Sequence, residues 1–296
     1  MKMLTRPHPT DSPRDIQLRL VELNALRFNP SFPTASWAED LATFERLSVV
    51  EGEYLETSRM RVSGRAAQAP TEPLSFIAWF EDLKNSGPGQ QDPLFRWLAE
   101  ESSLEQMKWF LTQEIAGEAG FDDLTALTQV KLPTRAKLEL ARNYWDEMGR
   151  GSEKGMHGPM LEKLARSLDL SPTVEETVEE SLSLANTMAG LAANRRYAYH
   201  SVGALGVIEM TAPARSAATT VGLKRLGIRA GDRHYFALHA VLDVKHSASW
   251  NSEAILPLVS SDRRIAAAIA EGALMRLECG ARCFERYRAE LGLSFR

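Results

Sequence analysis

Apolar residues recur at helical spacing along most of this chain, while the strict alternation that marks a half-buried strand is missing. The pattern predicts helices over 13–28, from Ser36 to about Arg61, over 74–83, 93–115, 138–148 and 158–168, from Ser171 to Ala193, over 195–226, 232–250 and 261–291. Ser36 with Glu39 three residues on reads as a capping box, and Asp92-Pro93 as an N-cap followed by proline at the first helical position. Pro213 falls inside one helical stretch, where a kink or break is expected. The runs Ser63–Pro73 and Ser86–Pro93 read as a linker and a break. These signals predict an all-α protein, with residues 1–90 as an N-terminal helical extension and 91–296 as the main helical domain.

Within the stretch Tyr235–His246, neither Gly nor Pro interrupts the helix, and His239, Asp243 and His246 stand at i, i+4 and i+7. At about 100° per residue they share one helix face. Leu238, Ala240, Val241, Leu242 and Val244 make the surroundings apolar. A buried face carrying two imidazoles and a carboxylate needs a compensating partner, and this donor set suits a transition metal. The plainer alternative is a polar stripe on a solvated helix.

Composition narrows the setting. The chain has 296 residues, 44% of them hydrophobic and 25% charged, as expected of a globular protein. A net charge of −4 leaves no basic excess for nucleic acid. No run approaches the roughly 18–20 apolar residues of a membrane span, and the first residues lack the apolar core of a secretory signal, so a cytoplasmic protein without a membrane partner is expected. Cys279 and Cys283 lie one turn apart and read as two buried thiols rather than a disulfide.

Further metal donors must come from other helices. Asp146 and Glu147 stand among aromatic and apolar residues, and Gly149, Gly151 and Gly155 connect them to His157. Glu209 is a lone carboxylate in an apolar stretch whose glycines, Gly203 and Gly206, permit close helix approach; the alternative is an ion pair with Arg195 or Arg215. Glu114 and Glu118 stand at i and i+4 and one of them should face inward. His234 and His200 read as structural, and His8 lies in the Pro- and Thr-rich start. None of the first 90 residues has the apolar setting of a buried ligand.

In this order, Glu147, His157, Glu209 and His239-x3-Asp243-x2-His246 resemble the pattern of the haem-oxygenase-like diiron oxidases, also called iron-containing redox enzymes. The resemblance covers roughly residues 91–291 and implies a seven-helix, haem-oxygenase-like bundle. It further implies two iron ions as cofactor, dioxygen as co-substrate, and a small organic substrate: an amino acid, an amine or a fatty-acid-like molecule. Carried onto this chain, it places Glu147, His157 and His246 on one iron and His239 and Asp243 on the other, with Glu209 bridging or chelating. Glu209 and Asp243 become the residues expected to matter most for catalysis, and Glu114 or Glu118 a candidate extra ligand. Trp109, Trp145, Tyr197 and Tyr199 are candidate pocket walls, and a homodimer is common in the fold. The competing reading is a metal-free enzyme of the thiaminase-like type, or a helical interaction protein, on the same fold.

Overall fold

The computed structural model describes residues 12–117 and 120–294. Its α-helices are α1 (Pro13–Phe28), α2 (Trp37–Ala66), α3 (Pro73–Ser86), α4 (Pro93–Glu100), α5 (Leu104–Gly117), α6 (Phe121–Thr128), α7 (Thr134–Glu147), α8 (His157–Ser167), α9 (Glu179–Ala193), α10 (Ala198–Arg225), α11 (His234–Ser249), α12 (Leu256–Ser261) and α13 (Ile265–Glu290). Among the described residues there is no strand, only an isolated bridge between Met148 and Met156. No helix among them is long and apolar enough to cross a membrane. The expected all-α class is therefore the observed one. Glu118 and His8 lie outside the described residues.

The central helix is α10, packed against α4, α9, α11 and α13. Val202, Ala204, Leu205 and Val207 are all fully buried, so this part of the helix has no solvent face. Gly203 and Gly272 let α10 and α13 cross at backbone contact: a Cβ on Gly203 would collide with the Ile269 carbonyl, and one on Gly272 with that of His200. Trp250 fills the gap beside them, and its indole N–H donates to the Val202 carbonyl at 3.1 Å.

Several boundaries differ from the sequence reading, each for a local reason. The helix expected over 93–115 is two helices, because Ser103 and Gln106 form a reciprocal cap: the Ser103 amide donates to Gln106 Oε1 at 2.9 Å and the Gln106 amide to Ser103 Oγ at 3.2 Å. Ser36 stands at the N-cap of α2 without a side-chain capping bond, and α2 runs on into the expected linker, as far as Ala66. Residues 171–178 are not helical. Arg14 takes the carbonyls of Val174, Glu175 and Thr177, while Gln113 bridges the Glu176 carbonyl and the Val178 amide. These tertiary bonds outcompete the acidic helix start. Pro213 does not break α10, although it removes the hydrogen bond that would close on the Glu209 carbonyl. The short helices α6 and α12 have no strong sequence signal.

The segment expected as an extension is packed onto the rest. α1 and α2 lie against α9, and α2 also against α13. Leu55, Val62, Phe76 and Phe80 join the same apolar cluster as Leu205 and Leu274. A buried ion pair, Arg27 to Glu51 at 2.7 Å, ties α1 to α2. Cys279 and Cys283 are buried free thiols.

Candidate metal centre

The C-terminal end of α7 and the first residue of α8 face one another across a glycine turn. Gly149 and Arg150 adopt left-handed backbone, and a Cβ on Gly149 would strike the Gly155 backbone. This compact turn lets Met148 and Met156 pair as a bridge. The residues just outside the bridge are Glu147 and His157, which explains how a ten-residue separation becomes a 2.5 Å approach of His157 Nδ1 to Glu147 Oε2.

Opposite this pair stand α10 and α11. Glu209 reaches inward from α10, its Oε1 accepting from Asn143 Nδ2 at 2.5 Å and its Oε2 lying 3.4 Å from His246 Nδ1. His246 Nδ1 is also 4.0 Å from Asp243 Oδ1. The His239 ring lies edge-on to the His157 ring, with centroids 4.7 Å apart. α11 is inverted relative to an ordinary surface helix: Asp243 and His246 are buried while Val241 and Val244 are 67% and 57% exposed. Some of the apolar side chains read from the sequence as the surroundings of this stripe thus point outward, and the polar stripe points in.

Ligand donor atoms converge in two groups that share one residue. Glu147, His157 and His239 bring donor atoms within 4.8 Å of one another, and so do Glu147, Glu209 and His246. Glu147 is common to both, a different division from the one the resemblance implies, where Glu209 joins the two halves. Asp243 flanks the second group through His246.

Neighbours outside the groups fix the imidazoles. His239 Nδ1 is 2.8 Å from the Tyr235 carbonyl, so that nitrogen carries the proton and Nε2 is left to act as a ligand. His246 Nε2 lies 3.2 Å from Asp146 Oδ2, leaving Nδ1 on the inner side. Asn143 Oδ1 is buried with no hydrogen bond, and His157 Nδ1 and His246 Nδ1 face the Glu147 and Glu209 carboxylates without hydrogen-bond geometry. Orphaned buried polar atoms are costly, and donors left over on the inner face of a site are what a metal ion satisfies.

The electrostatics agree. Burial, then the neighbouring Glu209 carboxylate, pushes the Glu147 carboxyl well above its ordinary range. Burial, then the charge of His246, lowers His157 to about 4, and burial with His157 beside it lowers His239 to about 4, so both are neutral and ready to donate a lone pair. At His246 burial acts downward, but Glu209 and Asp146 outweigh it and raise the imidazole to about 9. A metal here would displace protons from Glu147 and His246, as metal binding to such donors does. Three imidazoles and three carboxylates, none of them a thiolate, suit iron or another first-row ion of mixed nitrogen and oxygen preference.

The groups open onto a cavity of about 120 Å³. Glu147, Glu209, His239 and Asp243 line it, together with Glu114, Arg215 and Arg276. Glu114 is thus in the cavity wall but in neither donor group. The expected aromatic walls are not the observed ones. Trp145 is 53% exposed, Tyr197 is buried with its hydroxyl donating to Glu56, and Trp109 packs edge-on against Tyr287. Tyr199 packs against the main apolar cluster instead. Phe95, Phe121, Tyr235 and Phe236 line the cavity in their place. Glu209 pairs with Asn143 and His246; Arg195 instead holds the Leu127, Thr128 and Val130 carbonyls. His200 is a packed histidine bound to Glu271 at 2.9 Å.

Sequence reasoning did not find the roles of Asn143 and Asp146. Asn143 stands one turn before Glu147 and shares its face, which is the signal for it; Asp146, one residue before, carries no such signal.

A helical bundle that gathers carboxylates and imidazoles beside a cavity has the architecture of the metal-binding helical bundles. Residues 108–281 match the family described as iron-containing redox enzyme, and the chain belongs to that family and has its haem-oxygenase-like all-α fold. The match runs from α5 into α13 and includes every residue of the two donor groups. No curated protein matches the chain.

Proposed function

We propose that this protein is a non-haem diiron oxidase or oxygenase, using dioxygen on a small organic substrate bound in the cavity. The observation that carries the reading is the pair of donor groups joined at Glu147. Glu147, His157 and His239 would hold one iron; Glu147, Glu209 and His246, with Asp243 beside them, would hold the other. Bound iron would supply the electrons and the open coordination positions for dioxygen chemistry.

The chain's own residues do the rest. The Tyr235 carbonyl and Asp146 set the orientation of His239 and His246, and Asn143 holds one oxygen of Glu209 so that the other faces inward. Phe121, Leu124, Ile208 and Phe236 make the cavity wall apolar and limit water near the ligands. The test is anaerobic loading of chelator-treated protein with ferrous iron, followed by metal analysis and dioxygen uptake. Two irons per chain and dioxygen consumption by the loaded protein alone are the expected results. Saturation at one iron or none overturns the diiron assignment.

A further inference from the structure

Beside the cavity of the donor groups lies a larger space, a groove of about 440 Å³ open to solvent and walled by α1, α5, α9 and the non-helical segment 171–178. Ile115, in the last turn of α5, lines both. Around it the wall divides: Gly117 and Met188 border the cavity, Ala116 and Ala189 the groove. A single layer of side chains therefore separates the two spaces.

The groove exists because two helix faces do not fill it. Val21, Asn24 and Phe28 stand at i, i+3 and i+7 on α1, and Ala185 and Ala189 at i and i+4 on α9, where a methyl group is too short to reach across. The polar side chains of the groove are already spent. Asn24 Nδ2 donates to Asn186 Oδ1 at 2.8 Å, and Asn24 Oδ1 accepts from Arg27 at 2.6 Å. Asn186 Nδ2 donates to Gln17 Oε1 at 3.0 Å, and the Thr177 hydroxyl to the Thr173 carbonyl at 2.6 Å. The outer lip is held as well, since Arg14 donates to the carbonyls of Val174 and Thr177 at 2.9 and 2.8 Å. None of the described residues that line the groove is charged. Such a surface offers an ion no partner and an apolar molecule close contact.

We propose that this groove is the entrance through which small, uncharged, apolar molecules reach the cavity, and that Ile115 is the partition whose size decides what passes. This role deepens the proposed function and rests on it only in taking the cavity as the place of reaction. Dioxygen is itself a molecule of that class.

Isoleucine suits a partition. Branched at Cβ and set in a helix, it holds one χ1 rotamer about 90% of the time, so it stands as a fixed narrowing and not as a swinging side chain. Truncation to alanine leaves space on both of its sides and merges groove with cavity. The N-terminal helices thereby gain a part in the site. α1 supplies a wall of the entrance although none of its residues lines the cavity.

The test places a thiol in the cavity and times its labelling. Ser216→Cys exchanges an oxygen for a sulfur on the cavity wall. The purified, full-length protein is treated with methyl, butyl and sulfonatoethyl methanethiosulfonate, and the modified residues are read by peptide mass spectrometry. Cys279 and Cys283, buried and not lining the cavity, report general opening of the bundle. With each rate taken relative to a free thiol, the sulfonate should label the introduced thiol about tenfold more slowly than the butyl reagent, or worse. Adding Ile115→Ala should speed butyl labelling by about tenfold or more and methyl labelling less. Adding Ala185→Phe, at a half-buried position that lines the groove and not the cavity, should slow both by about that factor. Labelling that Ala185→Phe leaves unchanged, a sulfonate that keeps pace with the butyl reagent, or an introduced thiol that no reagent reaches would overturn the entrance. Rates indifferent to Ile115→Ala overturn the partition. If Ile115→Ala speeds Cys279 and Cys283 equally, the bundle has loosened and Ala185→Phe alone decides. Labelling needs no iron, so its failure leaves the diiron reading untouched, and a protein that takes up no iron leaves the entrance standing.

Discussion

Two of the buried clusters of polar side chains in this bundle are built on opposite plans. One joins α2, α9 and α13. Tyr54 Oη is 2.7 Å from Ser183 Oγ and 2.8 Å from Thr187 Oγ1, Thr187 Oγ1 donates to the Ser183 carbonyl at 2.7 Å, and Arg282 Nη2 reaches Ser183 Oγ and Cys279 Sγ at 3.1 and 3.4 Å. None of these side chains has an unpartnered buried atom. The other is the carboxylate–imidazole cluster of α7, α8, α10 and α11, where Asn143 Oδ1 has no hydrogen bond and His157 Nδ1 and His246 Nδ1 meet the Glu147 and Glu209 carboxylates without hydrogen-bond geometry. Hydroxyls can both give and accept, so the first cluster closes on itself. An ionised carboxylate can only accept and a neutral imidazole has one N–H to give, so the second cluster holds more lone pairs than protons and leaves ligand atoms facing inward. A cluster that satisfies itself is structural; one that does not is prepared for something else.

The largest expected effect is at Glu147, the residue common to both donor groups. Glu147→Gln should remove most of the iron, not half of it, as measured by metal analysis after ferrous loading. The metal-free variant should keep its helical circular dichroism and unfold at the same temperature as the metal-free parent or above it, because a neutral amide is easier to bury than an acid already raised by burial. Adding ferrous iron at about a hundred times its Kd should stabilise the parent by about 2.7 kcal/mol and the variant hardly at all. Loss of only one iron would mean that Glu147 serves a single metal.

Asp243→Asn comes next. Asp243 lies beside the second donor group rather than within it, 4.0 Å from His246 Nδ1. The substitution keeps size and removes charge, so iron content should fall from two toward one per chain while the fold holds. Unchanged occupancy and unchanged dioxygen uptake would make Asp243 a structural residue.

Tyr54→Phe probes the self-satisfied cluster. It deletes one hydroxyl and leaves the Ser183 and Thr187 side chains with fewer partners, at a cost of about 1–3 kcal/mol in denaturant unfolding. Iron uptake should be untouched. If this variant loses iron as well, the two clusters are coupled through α9 and α13 and the contrast between them is too sharp.

The polar groups that reveal themselves in sequence are those with a period. His239, Asp243 and His246 are legible because one helix carries all three, and Glu209 because it is a lone charge in an apolar run. The all-α class is legible for the same reason: helical spacing is a local property. Contacts made by folding are not. The approach of Glu147 to His157 depends on a left-handed turn and the Met148–Met156 bridge, which sequence shows only as a cluster of glycines. Residues 171–178 carry an acidic helix start, but Arg14 and Gln113, far away in sequence, claim their backbone. Arg215 and Arg276 carry no sequence signal of a shared site, and only the packing of α10 on α13 brings them to one cavity.

The smallest expected effect lies at Glu56, on α2 near the self-satisfied cluster. Its carboxylate meets Arg59 Nη2 at 2.8 Å, Arg196 Nε at 3.1 Å and the Tyr197 hydroxyl at 2.8 Å. Burial acts to raise its pKa, but Arg59, Tyr197 and Arg196 outweigh it and lower the group to about 2. A carboxyl whose pKa is lower folded than unfolded stabilises the protein fully above its unfolded value, roughly 4.3. That contribution fades as pH falls through the interval toward the folded value. The side chain is 29% exposed, so solvent screens the pairs and the gain should be about 1 kcal/mol or less. Glu56→Gln should therefore be slightly less stable than the parent at pH 7, and the difference should shrink as pH drops from about 5 toward 3. Urea unfolding of both proteins across that range reads the difference. A gap that stays constant with pH would assign the effect of Glu56 to packing and hydrogen bonding and not to its charge.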